Sequence, residues 1–266
     1  MDPTITAAII TGVATLLTAL ITYITIIKTN RKKKTQEKAN SIIIQPKDGY
    51  KIIGFDLDGT LLRGLEFSWT MVWDFLGFPE AVRKAGMRRY ITQQTSYQEW
   101  CEWACDQFKE KGLKRSDFKK ITENIQVTKN LNEAINILKN DGFIVGLISG
   151  GIDVFLYEKI PNADELFDHI YINKFLFDSN GLLTGVNATK YDFEGKAIAL
   201  EKMCTENGFT LQNSIFVGEG FNDDEVAKKA GLAIAYPPKG QGMKAAANIE
   251  VAENDLLKIL PHILSK

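Results

Sequence analysis

KIIGFDLDGT, residues 51–60, is the stretch on which the fold turns. The apolar run Ile52 to Phe55 ends in two carboxylates two positions apart, Asp56 and Asp58, with Gly59 directly after them. A short apolar run closing on a turn residue reads as a buried strand. Open α/β sheets bind their ligands beyond the carboxyl ends of strands, so an acid pair there can turn both carboxylates towards one site. A second strand end, FVGEGFNDD, adds Glu219, Asp223 and Asp224. Clustered carboxylates repel one another unless a cation or protonation offsets them. Mg²⁺ is the economical cation, because it takes oxygen ligands and binds through one or two carboxylates plus substrate phosphate.

Outward from this stretch, FIVGLI, SIFVG, LAIAY and NIEVA repeat the short apolar run, separated by amphipathic segments. That alternation predicts an α/β fold with a mostly parallel sheet. A helix is expected from Leu131 to about Asn140, with Asn130 and Glu133 as a capping box and Gly142 just past its end. Between Leu61 and Asn130 lie all four tryptophans, with helical spacings such as Trp69/Trp73 and Cys101/Cys105 and no clear strand. This segment reads as a helical insert forming a second small domain whose aromatics are its own core. Arg63, Arg83, Arg88 and Arg89 read as solvated helix cations, with the substrate as the alternative target. The three cysteines give no disulfide framework, and two distant histidines give no material for a zinc site or a Ser-His-Asp triad.

The N-terminal part is a different object. Of 266 residues, 45% are hydrophobic and 24% charged, with 32 basic against 33 acidic residues and a net charge of −1. No nucleic-acid partner is expected from that balance. All the Lys and Arg nevertheless lie after Ile27, and Ile5 to Ile27 carries no charge. As a helix this stretch would reach roughly 34 Å against a hydrocarbon core of about 30 Å. Residues 1–27 therefore read as a single transmembrane anchor and 28–50 as a basic linker. Lys28, Arg31, Lys32, Lys33, Lys34 and Lys38 place the C-terminal part in the cytoplasm by the positive-inside rule. Thr11, Thr15, Thr18 and Thr22 share one helix face. Self-association into a homo-oligomer through that face is one reading; hydroxyls bonding back to their own helix is the other.

FDLDGTLL (residues 55–62) resembles the first motif of the haloacid dehalogenase (HAD) superfamily. LISGG through Ser149, EGKA with Lys196 and GEGFND from Gly218 to Asp223 resemble the next three, in order. SGG after the second strand, the hairpin-like YINKFLFDSNGLLTG and GLAIAYPPK are similar to the phosphoserine phosphatase-like branch. The resemblance implies a HAD-type, Rossmann-like three-layer core over residues 51–266, with a small helical cap inserted after the first strand at about 63–128. It implies a phosphomonoester hydrolase with Mg²⁺ as cofactor, acting on a small phosphorylated substrate. Asp56 would be the nucleophile that forms an aspartyl-phosphate, and Asp58 the general acid and then base. Ser149, Gly150, Lys196 and Asn222 would bind phosphate. Asp56, the backbone carbonyl of Asp58, Glu219 and Asp223 would make up the metal site.

Three positions depart from the branch. Glu219 stands where Asp is usual. Glu66 falls one residue late for a substrate-recognising acid, and Cys101 occupies the cap position expected for a substrate-recognising Arg. Phosphoserine is therefore not supported as substrate by the cap. Two alternatives belong beside hydrolysis: a phosphotransferase of the same fold, and a membrane-tethered phospholigand-binding protein that has lost catalysis through Glu219.

Overall fold

The computed structural model describes residues 49–239 and 241–264. The expected anchor, the basic linker up to residue 48 and the threonine face lie outside the described residues. Among the described residues no helix is long and apolar enough to cross a membrane.

The quoted stretch forms β1 (Ile52–Phe55), buried along its whole length. It is followed by β2 (Leu62–Arg63), β3 (Gln126–Val127), β4 (Ile144–Ile152), β5 (His169–Phe177), β6 (Leu183–Asn187), β7 (Ser214–Gly218), β8 (Leu232–Ala235) and β9 (Ile249–Glu250). Seven strands make one sheet in the order β6-β5-β4-β1-β7-β8-β9. Every neighbouring pair is parallel except β5–β6, the expected hairpin, which is antiparallel. Connections leave β1 towards β4 and leave β7 towards β8, so the carboxyl ends of β1 and β7 flank the point where the winding reverses.

Period-two alternation makes the layers. Ile53, Phe55, Ile215 and Val217 face one core and Ile52 and Phe216 the other. Ten helices appear in chain order among the described residues. They are α1 (Ser68–Phe75), α2 (Glu80–Ile91), α3 (Tyr97–Glu110), α4 (Phe118–Ile121), α5 (Leu131–Asn140), α6 (Asp153–Lys159), α7 (Ala163–Leu166), α8 (Glu194–Glu206), α9 (Asp224–Lys229) and α10 (Gln241–Ala246). Residues of α5 and α6 cover the first face, and those of α8 and α9 the second.

The insert holds α1 to α4, and its buried Trp69, Trp73 and Trp100 join the first core rather than making one of their own. It is not strand-free: β2 and β3 pair antiparallel, with Leu62 opposite Val127 and Arg63 opposite Gln126. Two residues per strand are too few to show a periodicity. Helix α5 has the bounds expected, and Gly142 beyond it takes φ 87°. Its capping box is absent. Asn130 sits in the left-handed region at φ 58° without capping, and its Nδ2 donates instead to Asp255 Oδ1 at 3.0 Å. The reciprocal box lies at the start of α3, where Ser96 and Glu99 cap each other.

Candidate active site

Asp56 follows β1 directly, and its N–H donates to Val217 O of β7 at 2.9 Å. The carbonyl of Leu57 then accepts from the N–H groups of Thr60, Leu61 and Leu62, which turns the chain sharply and leaves Asp56 and Asp58 at the sheet's edge. Both are buried, and both line one cavity with Ser149, Gly150 and Asn222.

Lys196, from the first turn of α8, is fully buried and lies between two carboxylates. Its Nζ is 2.7 Å from Asp56 Oδ1 and 2.6 Å from Asp223 Oδ1. Burial works against its charge, but Asp223, Asp56 and Asp192 outweigh that and hold the ammonium above its usual range. Burial also raises the Asp56 carboxyl well above the usual carboxylate range, with Lys196 opposing. Asp58 is pushed up to about 6 by burial, against hydrogen bonds from Ser68. Asp58 Oδ2 accepts from Ser68 N at 2.6 Å, while Oδ1 is buried without a partner.

Asp223, expected among the metal ligands, is occupied otherwise. Oδ1 takes Lys196, and Oδ2 accepts from the N–H groups of Glu219 and Gly220 at 2.9 and 3.0 Å. Three of a carboxylate's roughly four acceptor sites are thus filled, one of them by a cation. In this arrangement Asp223 positions Lys196 and the turn after β7. Asp224 forms a surface ion pair with Lys228. Glu219 lies against Gly59, where a Cβ would come within 2.4 Å of Glu219 Oε1. Burial raises its carboxyl, and Lys239 opposes that from 3.5 Å; Oε2 has no hydrogen-bond partner.

These donors fit a divalent cation of one kind. Asp58 Oδ1 is an orphaned acceptor, and Glu219 Oε2 has only the 3.5 Å ion pair with Lys239, in a site crowded with buried acids. Among the described residues no three His, Cys, Asp or Glu side chains converge to hold an ion by themselves. A cation here would draw on few side-chain carboxylates and complete its shell with backbone carbonyl, phosphate and water. That is the habit of Mg²⁺ and not of zinc.

The carboxyl end of β4 is held from behind. Ser149 Oγ accepts from Gly151 N at 3.0 Å, which leaves its own O–H to donate. The Gly150 carbonyl accepts from Trp69 Nε1 at 2.8 Å, from Asn173 Nδ2 at 2.9 Å and from the Tyr97 hydroxyl. Trp69 and Tyr97 belong to insert helices, so the insert is bonded directly to the end of β4. Sequence reasoning missed this latch, and it missed Asp192. That half-buried acid lies on the cavity wall and accepts from Asn222 Nδ2 at 2.9 Å. Its signal was present: it stands four residues before Lys196, just ahead of the helix.

The insert's tryptophans are both core and wall. Trp69, Trp73 and Trp100 are buried and line the cavity, while Trp103 packs behind Trp73 at 5.4 Å between ring centres. Arg83 lines the cavity, with Nη1 3.2 Å from Thr70 Oγ1. Arg63 faces away, stacked 4.6 Å over the Tyr236 ring and donating to Gly59 O. Arg88 and Arg89 are exposed. Cys101 is buried, and burial pushes its thiol well above the usual range.

Comparison with known proteins gives these geometries a family. Residues 50–231 match the model of the haloacid dehalogenase-like hydrolases. The phosphoserine phosphatase of Methanocaldococcus jannaschii is 29% identical over 222 residues, spanning 80% of this chain and 97% of that protein. That of Lactococcus lactis is 33% identical over 153 residues, spanning 57% of this chain and 69% of that protein. A solved phospho-aspartyl intermediate analogue of phosphoserine phosphatase superposes with a TM-score of 0.62 at 28% identity, covering 81% of this chain and 99% of that one. The chain is a phosphatase of the haloacid dehalogenase-like hydrolase family, on its phosphoserine phosphatase-like branch.

Proposed function

We propose that this chain hydrolyses phosphomonoesters through an aspartyl-phosphate on Asp56. The observation that carries the reading is the buried constellation of Asp56, Asp58 and Lys196 beside Ser149 at the strand ends. Asp56 attacks phosphorus, and the bond from phosphorus to the ester oxygen breaks. Asp58, with its carboxyl raised to about 6, is partly protonated near neutral pH and delivers a proton to the departing oxygen. In the second step Asp58 as carboxylate takes a proton from water. The water oxygen bonds to phosphorus, the bond to Asp56 breaks, and phosphate leaves. Ser149 O–H, the backbone at Gly150 and Lys196 bind the phosphoryl oxygens over which charge spreads. Asn222, held by Asp192, faces the same cavity.

Asp56, the carbonyl of Asp58 and Glu219 would hold Mg²⁺. When bound, it supplies positive charge that keeps Asp56 ionised and screens it from the incoming phosphate. Asp223 acts through Lys196 in this scheme.

The same reading takes residues 1–27 as a single membrane anchor and 28–50 as a basic linker. Residues 51–266 form the catalytic domain on the cytoplasmic side, with the cap at about 63–128. The uncharged stretch Ile5 to Ile27 and the cations that follow it support this. The test of the chemistry is turnover of p-nitrophenyl phosphate by the full chain with and without Mg²⁺, with beryllium fluoride trapping of Asp56. Mg²⁺-dependent turnover and a trap lost in Asp56→Asn are expected. Turnover retained in Asp56→Asn would falsify the nucleophile. Retention in membranes after carbonate washing is expected of the anchor, and release into the supernatant overturns it.

A further inference from the structure

The cavity of about 260 Å³ onto which Asp56 and Asp58 open is walled largely by rings. Trp100, Tyr97, Tyr90, Phe193, Phe221 and Phe67 form an unbroken arc, each ring within 5.9 Å of the next between centres. All six line the cavity, and the arc crosses from the insert to the core. Phe221 is 54% exposed at its mouth. An apolar wall of this kind around a few polar groups is how proteins recognise the body of a small ligand.

The polar atoms on the wall are selective. Trp73 and Trp100 are buried, and neither indole N–H has a partner. Both nitrogens are sealed from the cavity as well as from bulk water, so the indoles meet a ligand with their apolar faces. The cations on the wall are already engaged: Arg83 with Thr70 and Glu80, Lys84 with Glu80 at 2.9 Å. A substrate carboxylate would therefore meet no buried, uncommitted cation among the described wall residues. Resting on the phosphomonoesterase reading above, we infer that the substrate is a phosphomonoester with a largely apolar body, rather than a phosphorylated amino acid.

Benzyl phosphate, n-octyl phosphate and O-phosphoserine all leave as alkoxides, so the full-length enzyme's preference among them reports the body and not the leaving group. The kcat/KM of benzyl or octyl phosphate is expected to exceed that of O-phosphoserine by about tenfold or more. The better of the two tells a ring from a chain. Phe221→Ala is expected to raise KM for benzyl phosphate by more than it does for O-phosphoserine. Binding is read separately by tryptophan fluorescence, with 2-phenylethylphosphonate against 2-amino-4-phosphonobutyrate. Tighter binding of the phenyl compound supports the inference even if no ester is turned over, an outcome that would remove hydrolysis alone. O-phosphoserine as the better substrate, with the amino acid phosphonate binding more tightly, overturns the inference and leaves hydrolysis standing.

Discussion

Lys196 is fully buried between two carboxylates at the strand ends, whereas Trp69, Trp73 and Trp100, which line the cavity onto which Asp56 opens, are buried among rings. Among Asp56, Lys196 and Asp223 each side chain holds the charge of another, so removing one leaves an uncompensated ion in a low dielectric. On the aromatic wall the contacts are many and individually weak, so a single loss is graded. The contrast teaches where this molecule is brittle and where it is tolerant, and substitution can test it.

The largest effect is expected at Asp56. Asp56→Asn should lower turnover by about 10⁴-fold or more with the circular dichroism spectrum unchanged, since Asn keeps the shape and can still face Lys196. A modest loss would mean that the floor is less interdependent than its geometry indicates. Lys196→Met should come next, costing about 3–5 kcal/mol in urea unfolding because Asp56 and Asp223 lose their shared cation. That cost should shrink as pH falls and Asp56, whose carboxyl is raised by burial, protonates, and a pH-independent cost would contradict the charge argument.

Asp58→Asn should lose activity and gain stability together. Turnover should drop by about 10² to 10⁴-fold. The Asp58 carboxyl stands at about 6 in the fold against an ordinary 3.8, because burial disfavours its charge. A raised folded value means that its contribution favours the native state fully below pH 3.8 and is lost as pH climbs through about 6. At neutral pH without metal, removing that burden should stabilise the protein by about 1–3 kcal/mol. Asn can keep the hydrogen bond from Ser68. A lower Tm for Asp58→Asn in chelator would sink this account. Tyr97→Phe should give the smallest change, about 1 kcal/mol in stability and a severalfold fall in kcat. Trp69 and Asn173 still hold the Gly150 carbonyl, and an unchanged kcat would show that the latch does not tune the end of β4.

The same division governs how much the sequence disclosed. The strand ends were legible because their residues answer to local rules. Ile52 to Phe55 and Ser214 to Gly218 read as buried strands, and the carboxylates that follow them stand where ligands bind. Asp223 read as one more acid of the cluster; only the fold shows both its oxygens taken up by Lys196 and the turn after β7. The β2–β3 pair was invisible because two residues per strand carry no period. Asn130 read as a cap because its type suits one, yet its left-handed backbone forbids the role. The Gly150 latch depends on partners 23 and 81 positions away, a distance over which a single sequence carries no signal. The aromatic wall read as packing, and packing it is, with the cavity on its other side.

Gly150 and Gly151 carry a consequence for how such an enzyme can change over generations. A methyl group at 150 would sit 2.4 Å from Asp192 Cγ, and one at 151 would sit 3.0 Å from both Asp58 Oδ2 and Ser68 Oγ. Each glycine is thus crowded by side chains from a different part of the chain: a side chain at 150 requires Asp192 to shift, and one at 151 requires Asp58 and Ser68 to give by a few tenths of an ångström. Single mutational steps at this end of β4 are therefore costly. Steps at Phe221, Tyr90 or Ile91, which are open to solvent in part, remain passable. A lineage built on this scaffold would therefore keep its chemistry and diversify in the bodies it accepts, one wall residue at a time.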